Sequence, residues 1–237
     1  MQQSGHIKAV GNSRWITSSK AKRNSVLPDN SPVFGVETMI SKRSSSVMKC
    51  VVVGDGGVGK TSLLLSYTTG GIMTDYVPTC FDTYHVAMRV MDEDYTLCVI
   101  DTAGQETYDR LRTLCYYKTD VFIVCFSVED PDSYENVQSK WVPEIKAFRP
   151  NTPFVLVGTQ TDLRGSVVDL TNVCITPAQG KKLAKKLGAV DFLECSALEG
   201  IGLDAVFRRT LMATLVPKKK RKFWESFRSV FRKKSAV

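Results

Sequence analysis

The chain has 237 residues, 43% of them apolar, which is enough for one α/β domain with tails but leaves little room for a second domain. The net charge of +8 lies at the ends: residues 1–47 carry seven Lys and Arg against two acidic residues, residues 217–237 carry nine against one, and residues 48–216 are left with −5. This distribution argues against a nucleic-acid-binding domain and indicates an anionic surface as the partner of the C-terminal tail.

Cysteine spacing and hydropathy indicate the cellular compartment and the mode of membrane attachment that we expect for this protein. The seven cysteines include no CxxC pair, and we expect reduced, mostly buried thiols in a cytosolic protein. No apolar run approaches the roughly 18 residues that a membrane span needs, and the N-terminus lacks the hydrophobic segment of a signal peptide. We therefore expect a soluble or peripherally attached protein.

Residues 1–47 are rich in Ser, Asn, Lys and Arg and show no sustained hydrophobic period. Such a composition cannot bury enough apolar surface to offset the entropy of ordering. We predict a disordered, basic N-terminal extension that precedes one domain over residues 48–216.

A glycine-rich loop follows the first predicted strand, Lys49 to Gly54. Its sequence GDGGVGKT matches the pattern GxxxxGK[ST] and leads into a predicted helix from Lys60. The glycines let backbone N–H groups surround phosphate oxygens, Lys60 adds charge at the β- and γ-phosphates, and the Thr61 hydroxyl is suited to Mg²⁺. The residues predicted to bind nucleotide here are Gly54, Gly56, Gly57, Val58, Gly59, Lys60, Thr61 and Ser62.

Predicted strands and helices alternate over the rest of the domain. The further strands are Val86–Val90, Thr96–Asp101, Val121–Ser127, Phe154–Gly158 and Asp191–Cys195, and the further helices are about Ser133–Phe148, Pro177–Leu187 and about Leu203–Leu215. This alternation predicts the α/β fold of P-loop NTPases, with a mostly parallel six-stranded sheet, helices on both faces and a ligand at the carboxyl ends of the strands.

A second motif lies in the segment DTAGQ, residues 101–105, which follows the third strand. Asp101 at a strand end can hold Mg²⁺ through water, and the Gly104 N–H can meet a γ-phosphate. Gln105 is then placed to orient an attacking water. We predict Lys60, Gly104 and Gln105 as catalytic residues.

The choice of base is predicted from two later loops. After the fifth strand, the Asp162 carboxylate can accept both edge hydrogens of guanine, a pairing that adenine cannot make. After the last strand, the Ala197 N–H can meet the guanine O6. With Thr159, Gln160 and Ser196, these residues predict a guanine site and argue against a P-loop ATPase or kinase.

The C-terminal segment, residues 217–237, combines cations with aromatic side chains at helical spacing. Phe223, Trp224, Phe227, Val230 and Phe231 recur at steps of 1, 3 and 4. We predict a basic amphipathic tail that lies on an anionic membrane. A nuclear-import signal and a calmodulin-like partner are the alternatives. The predicted membrane-contacting residues are Lys218, Lys219, Lys220, Arg221, Lys222, Phe223, Trp224, Phe227 and Phe231.

From Met48 to about Val216 the chain resembles the Rho family of small GTPases, most closely its atypical Wrch/Chp branch. The resemblance is carried by stretches in matching order and spacing: Tyr76–Thr79, Phe81–Asp82, Asp101–Gln105, Tyr108–Arg112, Phe126–Ser127, Trp141–Ile145, Thr159–Gln160 and Glu194–Leu198. It implies a monomeric GTP/GDP switch that requires Mg²⁺ and controls effectors, by family precedent in actin, morphology or polarity signalling.

Individual roles follow from the same resemblance. Thr79 binds Mg²⁺ and the γ-phosphate and takes part in catalysis, while Tyr76 closes over the phosphates. The effector surface is Thr79, Phe81, Asp82 and Tyr84, and residues 105–112 form switch II. Hydrolysis is expected to be slow, on the order of 10⁻⁴ to 10⁻² per second, until a GTPase-activating protein (GAP) supplies an arginine.

Several residues differ from the family pattern. Gln160 replaces the usual lysine of the guanine motif, and Ile72 replaces an aromatic residue near the base. We expect fast nucleotide exchange with little help from an exchange factor (GEF), unless Ile72 and the Gln160 stem pack as well as the usual side chains. The alternative function is a predominantly GTP-loaded, membrane-bound binding module with negligible hydrolysis.

Two further differences concern regulation and attachment. Ile100 stands where the family often has an aromatic residue, which bears on exchange-factor recognition, and residues 165–176 are shorter and less charged than the family insert. The last cysteine is Cys195, so we expect peripheral attachment to the plasma membrane or endomembranes without prenylation.

Overall fold

The computed structural model describes residues 46–71, 81–164 and 174–215. Within them, six strands form one sheet in the order β2-β3-β1-β4-β5-β6. All neighbouring strands are parallel except the β2–β3 pair, which is antiparallel. The strands are β1 Ser46–Val53, β2 Phe81–Val90, β3 Glu93–Thr102, β4 Val121–Ser127, β5 Phe154–Thr159 and β6 Phe192–Glu194. The predicted fold class is confirmed.

Several predictions fall on residues that the structure does not describe. These are the N-terminal extension up to residue 45, Ile72, Tyr76 and Thr79 in the segment 72–80, most of the insert at 165–173, and the tail from residue 216 onward.

Helices cover both faces of the sheet. They are α1 Lys60–Thr69, α2 Asp109–Leu114, α3 Pro131–Asn136, α4 Val142–Phe148, α5 Pro177–Leu187 and α6 Leu203–Leu215, and a π-helical turn, Val137–Trp141, joins α3 to α4. On one face α1 and α6 pack Leu63 and Phe207 against β1. On the other face α3 through α5 contribute Trp141, Ile145 and Leu183. No helix in the described ranges is long and apolar enough to cross a membrane.

Strands β4 and β5 show why the sheet can be predicted from the sequence. Every residue of β4 and β5 is buried, because helices cover both faces of these strands. Buried parallel strands of this kind appear as continuous apolar runs. Of the cysteines, Cys50, Cys125 and Cys195 are buried, and burial raises the pKa of each thiol, that of Cys195 to about 12.

Helix α5 has the predicted bounds because its ends are encoded locally. Thr176 and Gln179 form a capping box, and Pro177 occupies the first turn, where its missing N–H costs nothing. The helix ends at Gly188, which has a left-handed φ of 78°. Glycine adopts this conformation without a steric penalty.

The helix predicted over residues 133–148 begins earlier and is interrupted. Asp130 caps its start through the backbone N–H groups of Asp132 and Ser133. In the π-helical turn the Val142 N–H bonds the Val137 carbonyl, five residues back. Pro143 explains the interruption, since proline has no N–H and its ring clashes with the carbonyl four residues earlier.

Strands β2 and β3 are longer than predicted. They are joined by a turn at Met91 and Asp92, whose φ angles are 53° and 62°. Left-handed backbone at both central positions is the geometry of tight hairpins. From this turn the antiparallel pairing of β2 and β3 extends to Phe81 and Thr102.

Candidate nucleotide-binding site

The predicted nucleotide-binding residues that the structure describes lie at one edge of the sheet, in loops or in the strand and helix ends next to them. The loop Gly54–Gly59 follows β1, Asp101 lies near the end of β3, Asp162 follows β5 and Ser196 follows β6. Because β1, β3, β5 and β6 run in the same direction, their carboxyl ends meet at that edge.

The loop after β1 requires glycine where it passes β4. Gly54 has a φ of 148°, and a Cβ atom there would lie 2.4 Å from the Cys125 carbonyl oxygen. No side chain fits so close to a backbone oxygen. Gly54 therefore allows the loop to turn tightly at the end of β1.

Lys60 is held inside this loop. Its Nζ donates to the carbonyls of Gly54 at 2.8 Å and Asp55 at 2.6 Å, and only 6% of the residue is exposed. Burial lowers the pKa of the ammonium group, and the nearby Asp101 carboxylate partly opposes that shift. A buried cation fixed at a loop of N–H groups is suited to bind phosphate oxygens.

Asp101 and Thr61 together fit a metal ion. The Thr61 hydroxyl donates to Asp101 Oδ2 at 2.6 Å, whereas Oδ1 of this fully buried carboxylate has no hydrogen-bond partner among the described residues. Burial raises the pKa of Asp101 to about 6, against the opposing effects of Thr61 and Lys60. A buried oxygen that lacks a partner beside a hydroxyl suits Mg²⁺, a cation that prefers oxygen ligands.

Gly104 brings the segment after β3 against the loop Gly54–Gly59 (the phosphate loop). A Cβ atom at Gly104 would lie 2.4 Å from both Asp55 C and Gly56 N, so only glycine permits this approach. Gln105 follows with an exposed side chain, and its carbonyl accepts the Tyr108 N–H at 3.2 Å. The predicted catalytic glutamine is therefore exposed and directly follows the glycine that approaches Asp55 and Gly56.

Behind this segment, Arg112 connects α2 to α4. Its guanidinium is fully buried and binds both oxygens of Glu144, at 2.7 and 3.0 Å, and the Ala103 carbonyl at 3.2 Å. Burial acts to lower the pKa of Arg112, but Glu144 and the other partners raise it overall. The group lies 4.6 Å from the ring centre of Trp141.

The base end of the site is organised by side-chain hydrogen bonds between two loops. The Ser196 hydroxyl donates to Asp162 Oδ1 at 2.5 Å. The Ser66 hydroxyl on α1 donates to the Ala197 carbonyl at 2.8 Å, which fixes the loop that carries the predicted O6 contact. Asp162 and Ala197 are thus held on adjacent loops.

Thr159 and Gln160 contact the phosphate loop. The Thr159 hydroxyl lies 2.6 Å from the Val58 carbonyl and 2.8 Å from that of Phe126, so this buried side chain positions the loop. Gln160 has a left-handed φ of 58°, and its Nε2 donates to the Gly57 carbonyl at 3.3 Å. A neutral amide therefore makes this contact to the loop.

Arg164 is a residue that the sequence interpretation missed. Its guanidinium binds both carboxylate oxygens of Glu194, at 3.0 and 2.6 Å, and the Ile175 carbonyl at 2.6 Å. These bonds connect the loop after β5 to the end of β6. Arg112 and Arg164 both follow the motifs they support by a few residues, but sequence spacing does not reveal their partners.

The described part of the predicted effector surface lies on the edge strand β2. Asp82 is exposed, while Phe81 and Tyr84 are half-buried. Burial raises the pKa of Tyr84 to about 12, with smaller contributions from Asp82 and Asp101. Asp82 pairs in register with Asp101, so the predicted effector strand is directly hydrogen-bonded to the strand that carries the candidate metal ligand.

Comparison with protein-family models gives a match. The model described as "Ras family" matches residues 49–216, a range that contains the sheet from Lys49 onward and all the loops described above.

Proposed function

The chain belongs to the Ras family of small GTPases, and we propose that within this family it is a Rho-like switch with fast nucleotide exchange and a membrane-binding tail. As a Ras-family protein it binds guanine nucleotides with Mg²⁺, hydrolyses GTP, and acts through effectors, GAPs and GEFs.

The residues of the site account for the general activity. Lys60 and the loop N–H groups bind the phosphates, while Thr61 and Asp101 would hold Mg²⁺, which neutralises phosphate charge. We expect Gln105 to orient the attacking water. The γ-phosphate of GTP distinguishes the two states of such a switch, and its loss releases the loops that contact it.

The observation that carries the guanine-nucleotide assignment is the placement of three side chains. Lys60 begins the helix that follows β1, Asp101 lies near the end of β3 and Asp162 follows β5, so all three lie at one edge of the sheet. A competition assay tests this assignment: GTP is expected to displace a bound fluorescent GDP, whereas an equal concentration of ATP is not. Equal displacement by both nucleotides would contradict the assignment.

The Rho-like proposal is supported by the Arg112 contacts. Arg112 belongs to the stretch Tyr108–Arg112 and its partners Trp141 and Glu144 to the stretch Trp141–Ile145. Two stretches that carry the resemblance therefore contact each other. The test is phosphate release from GTP-loaded protein: a Rho-type GAP is expected to accelerate it, and acceleration by a Ras-type GAP alone would contradict the proposal.

Fast exchange is supported by Gln160. Its side chain reaches the Gly57 carbonyl at 3.3 Å without a positive charge, and hydrogen bonds that involve a charged group are about twice as strong as neutral ones. Stopped-flow release of fluorescent GDP at physiological Mg²⁺ is expected to be complete within minutes. Release over hours would contradict this part of the proposal.

Membrane attachment is proposed from the tail sequence. Each Lys or Arg near an anionic leaflet contributes up to about 1 kcal/mol, and the aromatic residues suit the membrane interface. We expect Trp224→Asp with Phe227→Asp to abolish binding to phosphatidylserine vesicles and localisation at the cell edge. Unchanged vesicle binding would contradict insertion, and loss of nuclear entry alone would favour the import alternative.

A further inference from the structure

Asp55 stands out within the phosphate loop because its carboxylate is held by two donors outside that loop. Asn136 Nδ2 donates to Asp55 Oδ2 at 2.7 Å, and Trp141 Nε1 donates to Asp55 Oδ1 at 2.7 Å. Both oxygens are therefore engaged from the α3–α4 segment. We call these three residues, Asp55, Asn136 and Trp141, the Asp55 latch.

The π-helical turn explains how two residues five apart reach the same carboxylate. In an α-helix each residue turns by about 100°, so side chains at positions i and i+5 point about 140° apart. The hydrogen bond from Val142 N to Val137 O spans five residues, and such a turn is wider than an α-helical one. It therefore brings Asn136 and Trp141 towards one side, facing Asp55.

The indole donor of the latch is fixed in orientation. Trp141 is fully buried, and the Arg112 guanidinium and Lys140 ammonium lie 4.6 and 5.1 Å from its ring centre. Arg112 is itself bound to Glu144 at 2.7 Å. A ring packed in this way cannot turn its N–H elsewhere, so the hydrogen bond to Asp55 is preorganised.

The negative charge of Asp55 opposes the binding of phosphates by its loop. Asp55 is the single acidic residue in the loop 54–61, which must bind anionic phosphates. The Asp55 backbone carbonyl accepts the Lys60 ammonium at 2.6 Å, so the residue lies next to the phosphate-binding lysine. Its carboxylate, if released, would place a negative charge at a loop that binds anions.

We propose that Asn136 and Trp141 are positioning residues that set the rate of nucleotide release by holding the Asp55 carboxylate away from the phosphates. The two hydrogen bonds keep the loop in its binding conformation and compensate the charge of the one residue that opposes the ligand. This inference rests on the guanine-nucleotide function proposed above.

A charge swap tests the latch. Asn136→Asp puts two carboxylates against each other, and we expect release of fluorescent GDP to be about tenfold faster. Adding Asp55→Asn restores both bonds, because the new amide oxygen can accept from Trp141 while its NH₂ donates to the carboxylate introduced at position 136. The swapped protein is expected to release GDP within about twofold of the wild-type rate.

The matched control is Gln138→Glu, which adds the same charge to the π-helical turn at a residue that does not contact Asp55, and it is expected to leave release unchanged. An Asn136→Asp protein that releases GDP at the wild-type rate would overturn the proposal. A swapped protein that is as fast as Asn136→Asp alone would also overturn it.

A second variant removes only one of the two hydrogen-bond donors to Asp55. Trp141→Phe keeps a ring beneath Arg112 but lacks Nε1, and it is expected to speed GDP release about threefold in the wild-type background and not at all in an Asp55→Ala background. An equal effect in both backgrounds would indicate lost packing and overturn the latch. Failure of the guanine-nucleotide function is separable, because the wild-type protein would then fail to bind GDP.

Discussion

The phosphate end and the base end of the site are built differently. At the phosphate end, which comprises the loop Gly54–Gly59 with Lys60, Thr61 and Asp101, Lys60 and Asp101 are buried. Lys60 donates to the Asp55 carbonyl and Asp101 accepts from the Thr61 hydroxyl, both at 2.6 Å. At the base end, Gln160 makes one exposed contact of 3.3 Å, and the Arg164–Glu194 pair is 25% and 22% exposed. Because charges interact more strongly where water is excluded, the phosphate end should carry most of the affinity and the base end the selectivity.

Among these substitutions, we expect Lys60→Met at the phosphate end to reduce nucleotide affinity most. The substitution removes charged hydrogen bonds to two phosphates and leaves two loop carbonyls without their donor, which together cost about 4 kcal/mol. The affinity for a non-hydrolysable GTP analogue is expected to fall about thousandfold by equilibrium titration. Lys185→Met on the exposed face of α5 is the control. A loss smaller than about tenfold would contradict the comparison.

Arg112 supports the phosphate end from behind, and its removal tests that support. Arg112→Met leaves the half-buried Glu144 carboxylate without its cation, which costs about 3 kcal/mol of unfolding free energy. For a domain of this size the melting temperature is expected to fall by about 6–12 °C.

The control for this experiment is Arg208→Met. Arg208 pairs with Asp204 at 2.6 Å, but the two side chains are 50% and 47% exposed. Exposed pairs contribute at most about 1 kcal/mol, so the melting temperature should change little. Equal destabilisation by the two substitutions would mean that burial does not set the strength of the Arg112 contacts.

Gln160→Lys tests the contribution of the base end to GDP release, and we expect it to have the smallest effect. A lysine at this position would bring a charged donor to the Gly57 carbonyl and stabilise the loop by about 1 kcal/mol. Release of GDP should slow about fivefold in stopped flow. Gln138→Lys controls for the added charge, and an unchanged release rate would remove Gln160 as a cause of fast exchange.

Sequence alone predicts the elements whose signals are local. The ends of α5 follow from the Thr176–Gln179 capping box, Pro177 and Gly188, and β4 is a continuous apolar run because both of its faces are covered. The phosphate loop is recognisable because its glycines and lysine are adjacent in the chain. These features do not depend on distant contacts.

Other features depend on contacts between distant parts of the chain. Helix α2 contains Arg112, a residue type that is normally exposed, and burial there is possible only because Glu144 lies 32 positions later. The hydrogen bond from Trp141 in the π-helical turn to Asp55 spans 86 positions. The contacts of Thr159 are also distant in sequence, since its hydroxyl lies within hydrogen-bond distance of the Val58 and Phe126 carbonyls.

The most direct test of the account is the nucleotide preference of Asp162→Asn. If the loops after β1, β3, β5 and β6 converge on one guanine nucleotide, the Asn amide can donate to the 2-oxo group of xanthine and no longer accepts both guanine hydrogens. The ratio of XTP to GTP affinity should rise about hundredfold, whereas Asp132→Asn on exposed α3 should leave it unchanged. An undiminished preference for GTP in the Asp162→Asn protein would contradict the convergence.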